Sequence, residues 1–463
     1  MKIIIDSAIH IYNPTDAVMD FCRNNLVLDN PEYLNRERMG KWTGNTPRYL
    51  HLYERIGNQI IVPYGCRKRI LALAKDDTVQ WADYPEKSYF KADYKSNITP
   101  YAYQADVIQS MYNAKNGIII MPCGSGKTQT ALECIDKFGL KTLWLTHTSD
   151  LLNQSLERAK MCFDCDADMF GTITAGKVNI GKGITFATIQ TMCKIDILRY
   201  RTEWAIIVVD ECQHCAGTPT RLSQFYSVVN NLYAPYKFGL TATPERSDGL
   251  EQSMYALLGG KIAEITKKQV EQITCPVCVE AINSKFIPEP DNILNGDGTI
   301  NYAKLATELT EDPLRFDYVM AVINERCKSH TIVLANRVQY LKNLQAEYKG
   351  RSVCLSSLGT SKKAKEERKK AIKDLNEGRI DCIFATYQLA SEGLDCPNLK
   401  YIVFATPEKN NRLVTQSVGR VARKSDTKEY GTALDFVDDF GMYQKWWHKR
   451  MACYKKLGCI IKK

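Results

Sequence analysis

The chain has 463 residues, 44% hydrophobic and 25% charged, which excludes a disordered or fibrous protein and leaves room for about three domains. Its formal net charge is +10, from 62 basic and 52 acidic residues, a surplus compatible with a polyanionic partner. No apolar run reaches the roughly 18 residues that a membrane helix needs, so no membrane partner is expected.

The first six residues, Met1 to Asp6, read as an opening strand without a secretory cleavage pattern. With 17 cysteines, that predicts free thiols and a reducing, cytoplasmic setting. Residues 1–92 are rich in Tyr, Arg and Asn, carry no phosphate loop, and are predicted to be a small α+β nucleic-acid-binding domain. Basic and aromatic residues interleave there. Trp42, Tyr49 and Tyr53 are expected in its core, and Arg38, Lys41 and Arg48 on a DNA-facing surface. Ser96 to Pro100 reads as a linker.

Short apolar strands then alternate with helical stretches. Strands are predicted at 117–120, 142–145, 184–187, 205–209 and 238–240, with a helix over 129–138. The regularity breaks around 262–312, where Pro288, Pro290, Gly296 and Gly298 mark an exposed connection. A second series follows, with strands at 331–334, 352–355, 381–384, 401–404 and 433–437. Continuous apolar strands between helices predict parallel sheets covered on both faces. The expected class is α/β: two tandem doubly wound domains, at 95–265 and 313–463, joined by a connector at 266–312. The basic run from Lys362 to Lys370 reads as a solvated helix face.

Three Cys-x-x-Cys pairs, Cys162/Cys165, Cys212/Cys215 and Cys275/Cys278, have zinc-ligand spacing. They are far apart in sequence and in different predicted elements, so they read as thiols rather than one metal site.

Gly124-Ser125-Gly126-Lys127-Thr128 sits between a predicted strand and helix, the setting a phosphate-binding loop requires. Glycines let backbone N–H groups approach phosphate, and the helix N-terminus adds its positive end. Lys127 would meet the β- and γ-phosphates of a nucleoside triphosphate, and Thr128 would ligate Mg2+. Asp210-Glu211 ends an all-apolar strand, where two acids need a reason. Asp210 would hold Mg2+ through water, and Glu211 would polarise the attacking water. Much later, Arg420 and Arg423 stand three apart in Gln416 to Arg423, a spacing that puts both on one face of a helix.

In this order the motifs resemble those of superfamily 2 helicases and translocases, over roughly residues 95–450. Tyr103-Gln104 resembles the adenine-reading glutamine motif, and Gly124 to Thr128 the first helicase motif. Thr148-Ser149-Asp150-Leu151 and Ala187-Thr188-Ile189-Gln190-Thr191 resemble motifs Ia and Ib. Asp210-Glu211-Cys212-Gln213 is similar to motif II, and Thr241-Ala242-Thr243 to motif III. Ala335-Asn336-Arg337, Ala385-Thr386 through Glu392-Gly393-Leu394-Asp395, and Gln416 to Arg423 resemble motifs IV, V and VI. The resemblance implies two RecA-like domains and ATP hydrolysis. It implies that Arg420 and Arg423 are fingers on the γ-phosphate, with Gln416 beside them. Gly393 and Asp395 would face the nucleotide, and Thr241 and Thr243 would couple hydrolysis to motion. Thr148, Thr188, Gln190, Thr191, Arg337 and Thr386 would track a nucleic-acid backbone, as hydroxyl and amide groups suit phosphate.

Gln213 stands where a DExH motif has histidine, His147 where proline is usual, and Met121 where the phosphate loop has its first glycine. Pro244 to Gly249 is similar to the XPB-like branch, which has an Arg-Glu-Asp loop there in another order. Residues 1–92 resemble the N-terminal domains of phage UvsW-like branch-migration helicases, which implies a phage or mobile-element origin. The implied function is an ATP-dependent DNA translocase or helicase on duplex, forked or branched DNA, acting as a monomer. An RNA helicase, or the motor subunit of a restriction complex with a separate nuclease, are the alternatives.

Overall fold

Isoleucines at every second position of the opening strands bury one face: Ile3, Ile5, Ile9 and Ile11 are fully enclosed. In the computed structural model, β1 (Lys2–Ile5) and β2 (Ala8–Tyr12) form an antiparallel hairpin that pairs Ile3 with Ile11 and Ile5 with Ile9. The structure describes residues 1–74, 78–81, 91–122, 124–216, 219–244, 249–270, 274–355, 362–393, 396–425 and 428–462. Contacts divide it into two compact units, one over residues 1–122 and 126–265, the other over 123–125 and 266–463.

The first unit begins with a small α+β domain. After the hairpin come β3 (Val27–Asp29), β4 (Tyr49–His51), β5 (Glu54–Ile56), β6 (Gln59–Pro63) and β7 (Thr78–Trp81). Five of these form a sheet in the order β5-β6-β2-β1-β7, and β3 pairs with β4 alone. Val18 and Cys22 of the helix Asp16–Asn25 fill the core with Ile60, Val62 and Ile70, and Tyr53 packs against it. Trp42 and Tyr49 do not join this core. Trp42 is 84% exposed and Tyr49 47% exposed. Aliphatic side chains fill the interior, and strand alternation turns Leu50 inward and Tyr49 out.

This small domain is fused to the larger sheet of the same unit. Leu222 and Ala256, far along the chain, belong to the same apolar cluster. A Cβ on Gly65 would lie 2.4 Å from the Gly259 backbone nitrogen, so the two backbones touch. Lys237, fully buried, donates to the carbonyls of Ser7 at 3.0 Å and Val229 at 2.9 Å.

The rest of the unit carries β8 (Asn116–Ile120), β9 (Thr142–Thr146), β10 (Phe170–Thr174), β11 (Lys177–Asn179), β12 (Ile184–Thr188), β13 (Ile206–Val209), β14 (Tyr236–Thr241) and β15 (Lys261–Glu264). Their order is β11-β10-β12-β9-β13-β14-β8-β15. Every pairing is parallel except the β10–β11 hairpin. Strands β9, β12 and β13 are buried at every position, which is why they read as unbroken apolar runs.

The second unit has β16 (Val277–Asn283), β17 (Thr331–Ala335), β18 (Ser352–Leu355), β19 (Cys382–Thr386), β20 (Tyr401–Phe404), β21 (Gly431–Val437) and β22 (Ile460–Lys462), in the order β18-β19-β17-β20-β21-β16-β22. All its pairings are parallel. Ile332 and Leu334 enter one apolar cluster, Val333 and Ala335 another, so alternate residues pack opposite faces. β16 lies inside the stretch expected to be a connector; it runs beside β21 from Val277 opposite Gly431 to Asn283 opposite Val437.

Two enclosed ion pairs anchor the end of β21. Arg450 donates to Asp435 through Nε and Nη2, both at 2.8 Å, and Tyr454 adds a hydroxyl at 2.6 Å. Arg315 meets Asp438 at 2.6 Å, with both side chains fully buried. Every described cysteine is a free thiol. Among the described residues, no helix is long and apolar enough to cross a membrane, and no three His, Cys, Asp or Glu residues gather around a metal position.

Candidate active site

Strands β13, β14 and β8 lie side by side and parallel, so their carboxyl ends bring three segments together. The loop after β8 is tied to β14, since the Met121 N–H donates to the Thr241 carbonyl at 2.9 Å. Gly124 has φ +81° and Gly126 φ +79°, the left-handed region that glycine enters without steric cost. Gly126 caps the helix Lys127–Phe138. A Cβ there would lie 2.5 Å from the Gln104 side-chain nitrogen. Gln104 is buried, and its oxygen accepts the Tyr101 N–H at 3.0 Å, which fixes its amide beside the loop. Lys127 closes the loop, donating to the carbonyls of Met121 at 3.2 Å and Pro122 at 3.5 Å. Ser125 is fully buried, and Thr128 is half-buried on the first helical turn. A pocket of about 520 Å³ adjoins, lined by Thr99, Tyr101, Gln104, Gln129 and Arg158 among others.

Asp210 follows β13 and is 6% exposed. Burial pushes its carboxyl up to about 6, helped by the Glu211 charge and opposed by Lys127. It accepts the Glu211 N–H at 2.9 Å and the Ser155 hydroxyl at 3.4 Å. Glu211 has φ +48°, an uncommon conformation for a residue with a side chain. A hydrogen-bonded run starts from it. The Gln213 amide donates to the Glu211 carboxylate, Thr241 donates to the Gln213 oxygen at 2.6 Å, and the Thr243 N–H donates to the Thr241 hydroxyl at 3.1 Å. Sequence patterns identify the members of this run but not its connectivity. They also give no sign of Ser155, or of the buried rings of His147 and His214, which stack with centroids 3.4 Å apart. Both histidines are visible in the sequence, but their contact joins segments far apart along the chain.

The donor set fits a nucleotide with a divalent cation. Both glycines of the cradle have positive φ and a Cβ on Gly126 would collide with Gln104, the lysine points its ammonium across the loop, and a buried carboxylate stands within reach of that charge.

The residues expected on a nucleic-acid track divide into two kinds. Thr148 caps the helix Ser149–Cys162 by accepting the Leu151 N–H at 3.3 Å. Gln190 is exposed and donates to the His147 carbonyl at 2.8 Å. Thr188 and Thr191 are buried, with their hydroxyls bonded to each other at 2.9 Å.

In the second unit, Arg337 is exposed and donates to the Ala303 carbonyl at 3.0 Å. Thr386 ends β19 and accepts the Leu389 N–H at 3.4 Å. Gly393 ends the helix Tyr387–Gly393; Asp395 and residues 245–248 lie outside the described residues. Gln416 is 8% exposed, and its side-chain oxygen has no hydrogen-bond partner among the described residues.

Arg420 and Arg423 do not share one helix. The helix Asn411–Val421 carries Arg420 and stops before Arg423, which forms a bridge with Thr274. The Cys275 N–H captures the Ala422 carbonyl at 2.9 Å, and the Cys275 thiol faces the carbonyls of Val421 and Arg423. The chain leading into β16 thus satisfies the helix end and straightens the backbone beyond it.

Residues 97–246 match the family model of the type III restriction enzyme res subunit, and residues 314–425 match that of the helicase conserved C-terminal domain. A protein of Acanthamoeba polyphaga mimivirus, provisionally named an ATP-dependent RNA helicase, is 26% identical over 90% of this chain and 79% of its own. The DNA 3'-5' translocase XPB2 of Sulfurisphaera tokodaii is 25% identical over 70% of this chain and 78% of its own. The Pyrococcus furiosus Hef helicase domain shares the fold at TM-score 0.51 and 15% identity, over 76% of this chain and 98% of that one. Two motor-domain models in tandem, with a phosphate loop and an acidic pair at the ends of two strands that flank β14, make this chain a member of the superfamily 2 helicases, nucleic-acid motors driven by ATP.

Proposed function

We propose that the chain moves along DNA as an ATP-driven translocase or helicase, remodelling duplex, forked or branched molecules in recombination, repair or replication, and that it works as a monomer. The observation that carries this reading is the run from Glu211 through Gln213 to Thr241 and Thr243, which links the water-activating carboxylate to the segment after β14. DNA is favoured by relatives such as the Sulfurisphaera translocase, whose name states its substrate.

In this mechanism Gln104 reads adenine, and Gly124, Ser125, Gly126 and Lys127 hold the phosphates. Thr128 and Asp210 would hold Mg2+, which when bound neutralises developing phosphate charge. Glu211 takes the proton of the attacking water, so ATP and water become ADP and phosphate. Arg420 and Arg423 supply charge to the γ-phosphate, an effect worth on the order of 10³-fold in rate. Gln416, Gly393 and Asp395 complete the second domain's contribution. Thr241 and Thr243 transmit the change, while Thr148, Gln190, Arg337 and Thr386 follow one strand; Thr188 and Thr191 shape that track from within. Arg38, Lys41 and Arg48 grip duplex phosphates.

ATPase measurements over single-stranded, duplex, forked and four-way DNA, with RNA as control, test the proposal. DNA should stimulate turnover, and K127A and E211Q should abolish it. Stimulation by RNA alone would favour the RNA reading that the mimivirus relative's name suggests. Normal turnover by E211Q would remove the mechanism.

A further inference from the structure

The segment from Arg38 to Tyr49 contains Arg38, Lys41 and Arg48 and no acidic residue. It leaves the helix Pro31–Arg38 and returns as β4. Its base is tied by one residue. Asn30, 1% exposed, donates its backbone N–H to the Arg48 carbonyl at 2.9 Å and its side-chain amide to the Pro47 carbonyl at 2.8 Å. The same side chain caps the helix by accepting the Glu32 N–H at 3.0 Å. Within the loop, the Lys41 N–H reaches the Arg36 carbonyl at 2.9 Å, and the Thr46 N–H the Thr43 carbonyl at 3.0 Å.

On this braced loop Trp42 is 84% exposed. Its ring lies across Gly44, where a Cβ would stand 3.0 Å from the indole, so one face rests on bare backbone. Arg48 is also held in place, 5.9 Å from the Tyr33 ring centroid and 5.6 Å from that of Tyr49. An exposed indole of this size needs an apolar partner, and neighbouring cations call for an anionic one. Unpaired nucleotides offer both, a π-face and a phosphate.

We propose that this loop binds unpaired DNA bases where a duplex opens, with Trp42 as the stacking platform and Lys41 and Arg48 on the adjoining phosphates. The inference rests on DNA being the substrate and adds its class: a junction with single-stranded character, recognised by the N-terminal domain without nucleotide. A continuous duplex keeps its base faces stacked, so it uses the cations and leaves Trp42 idle.

The test is equilibrium binding of labelled forked DNA and blunt duplex, without ATP, to the full chain. W42A should bind the fork about 10-fold more weakly, the loss of one stacked base, and bind the duplex within about twofold of the native protein. W42F should keep most of the fork affinity. K41A and R48A should weaken both DNAs and each reduce the salt slope by roughly one. Unchanged fork binding by W42A overturns the proposal and would indicate a protein-docking tryptophan. So would equal losses on fork and duplex in a W42A protein with native melting. Failure of the motor reading is separable: DNA would not stimulate native ATPase, whereas Trp42-dependent fork binding would persist in K127A.

Discussion

Thr241 donates its hydroxyl to the side-chain oxygen of Gln213 at 2.6 Å, and Gln213 spends its amide on Glu211. One glutamine thus joins the carboxylate after β13 to Thr241, the last residue of β14. A glutamine can do this because it carries a donor and an acceptor at one end.

T241V should therefore damage coupling before binding. Losing two hydrogen bonds of about 1 kcal/mol each, one given to Gln213 and one taken from the Thr243 N–H, should lower DNA-stimulated turnover roughly 5- to 30-fold. ATP affinity should stay near native. Steady-state ATPase with and without DNA, beside direct nucleotide binding, separates the two; a loss confined to ATP affinity would contradict the role given to Thr241.

Gly126 has no tolerance for a side chain. G126A meets both the positive φ of +79° and the Gln104 amide 2.5 Å away. Backbone strain alone is about 1–2 kcal/mol, so ATP affinity should fall by about tenfold or more. G249A is the control, because Gly249 has φ +71° in open space. Titration with a fluorescent ATP analogue should show the loss in G126A only.

Lys237 predicts a pH dependence of stability. Burial pulls its pKa down to about 7, with the Asp6 charge opposing. Two carbonyl partners, and the Tyr64 ring 4.8 Å from the ammonium, also favour the charged form. An amine whose folded pKa lies below its unfolded value loses stability most below the folded pKa. That loss fades as pH rises toward the unfolded value of 10.5. Relative to K237M, the native first unit should gain on the order of 3 kcal/mol between pH 7 and pH 10. Urea unfolding of both proteins across that range checks the slope; parallel curves would show that Lys237 titrates normally.

Arg450 and Asp435 are a buried pair whose loss should be asymmetric. R450M strands a carboxylate at a fully enclosed site and should destabilise the second unit by about 3–5 kcal/mol. Replacing both residues with apolar ones of similar volume should recover much of that loss. Calorimetry on the two variants distinguishes a stranded charge from a cavity, since a cavity would leave the double variant no better.

Much of this molecule is readable along the chain. Strands β9, β12 and β13 are buried on both faces, so their apolar runs stand out in sequence, and the phosphate loop is local chemistry between one strand and one helix. Strand β16 hides in an irregular stretch because its place beside β21 is set by a partner some 150 residues away. The same distance obscures the conformation of Arg423: a helix pattern runs through it, but Thr274 and Cys275 take the helix end. Trp42 and Tyr49 are expected inside because large aromatics favour cores; only packing shows that isoleucines already fill that core. Sequence by itself determined the two α/β motor domains and the order of their motifs, because these depend on short-range pattern and residue type. Tertiary structure decided the Glu211–Gln213–Thr241 run, the fusion of the N-terminal domain through Lys237, and the exposure of Trp42. Each of these depends on which distant segments exclude water from one another, a property that no local window of sequence contains.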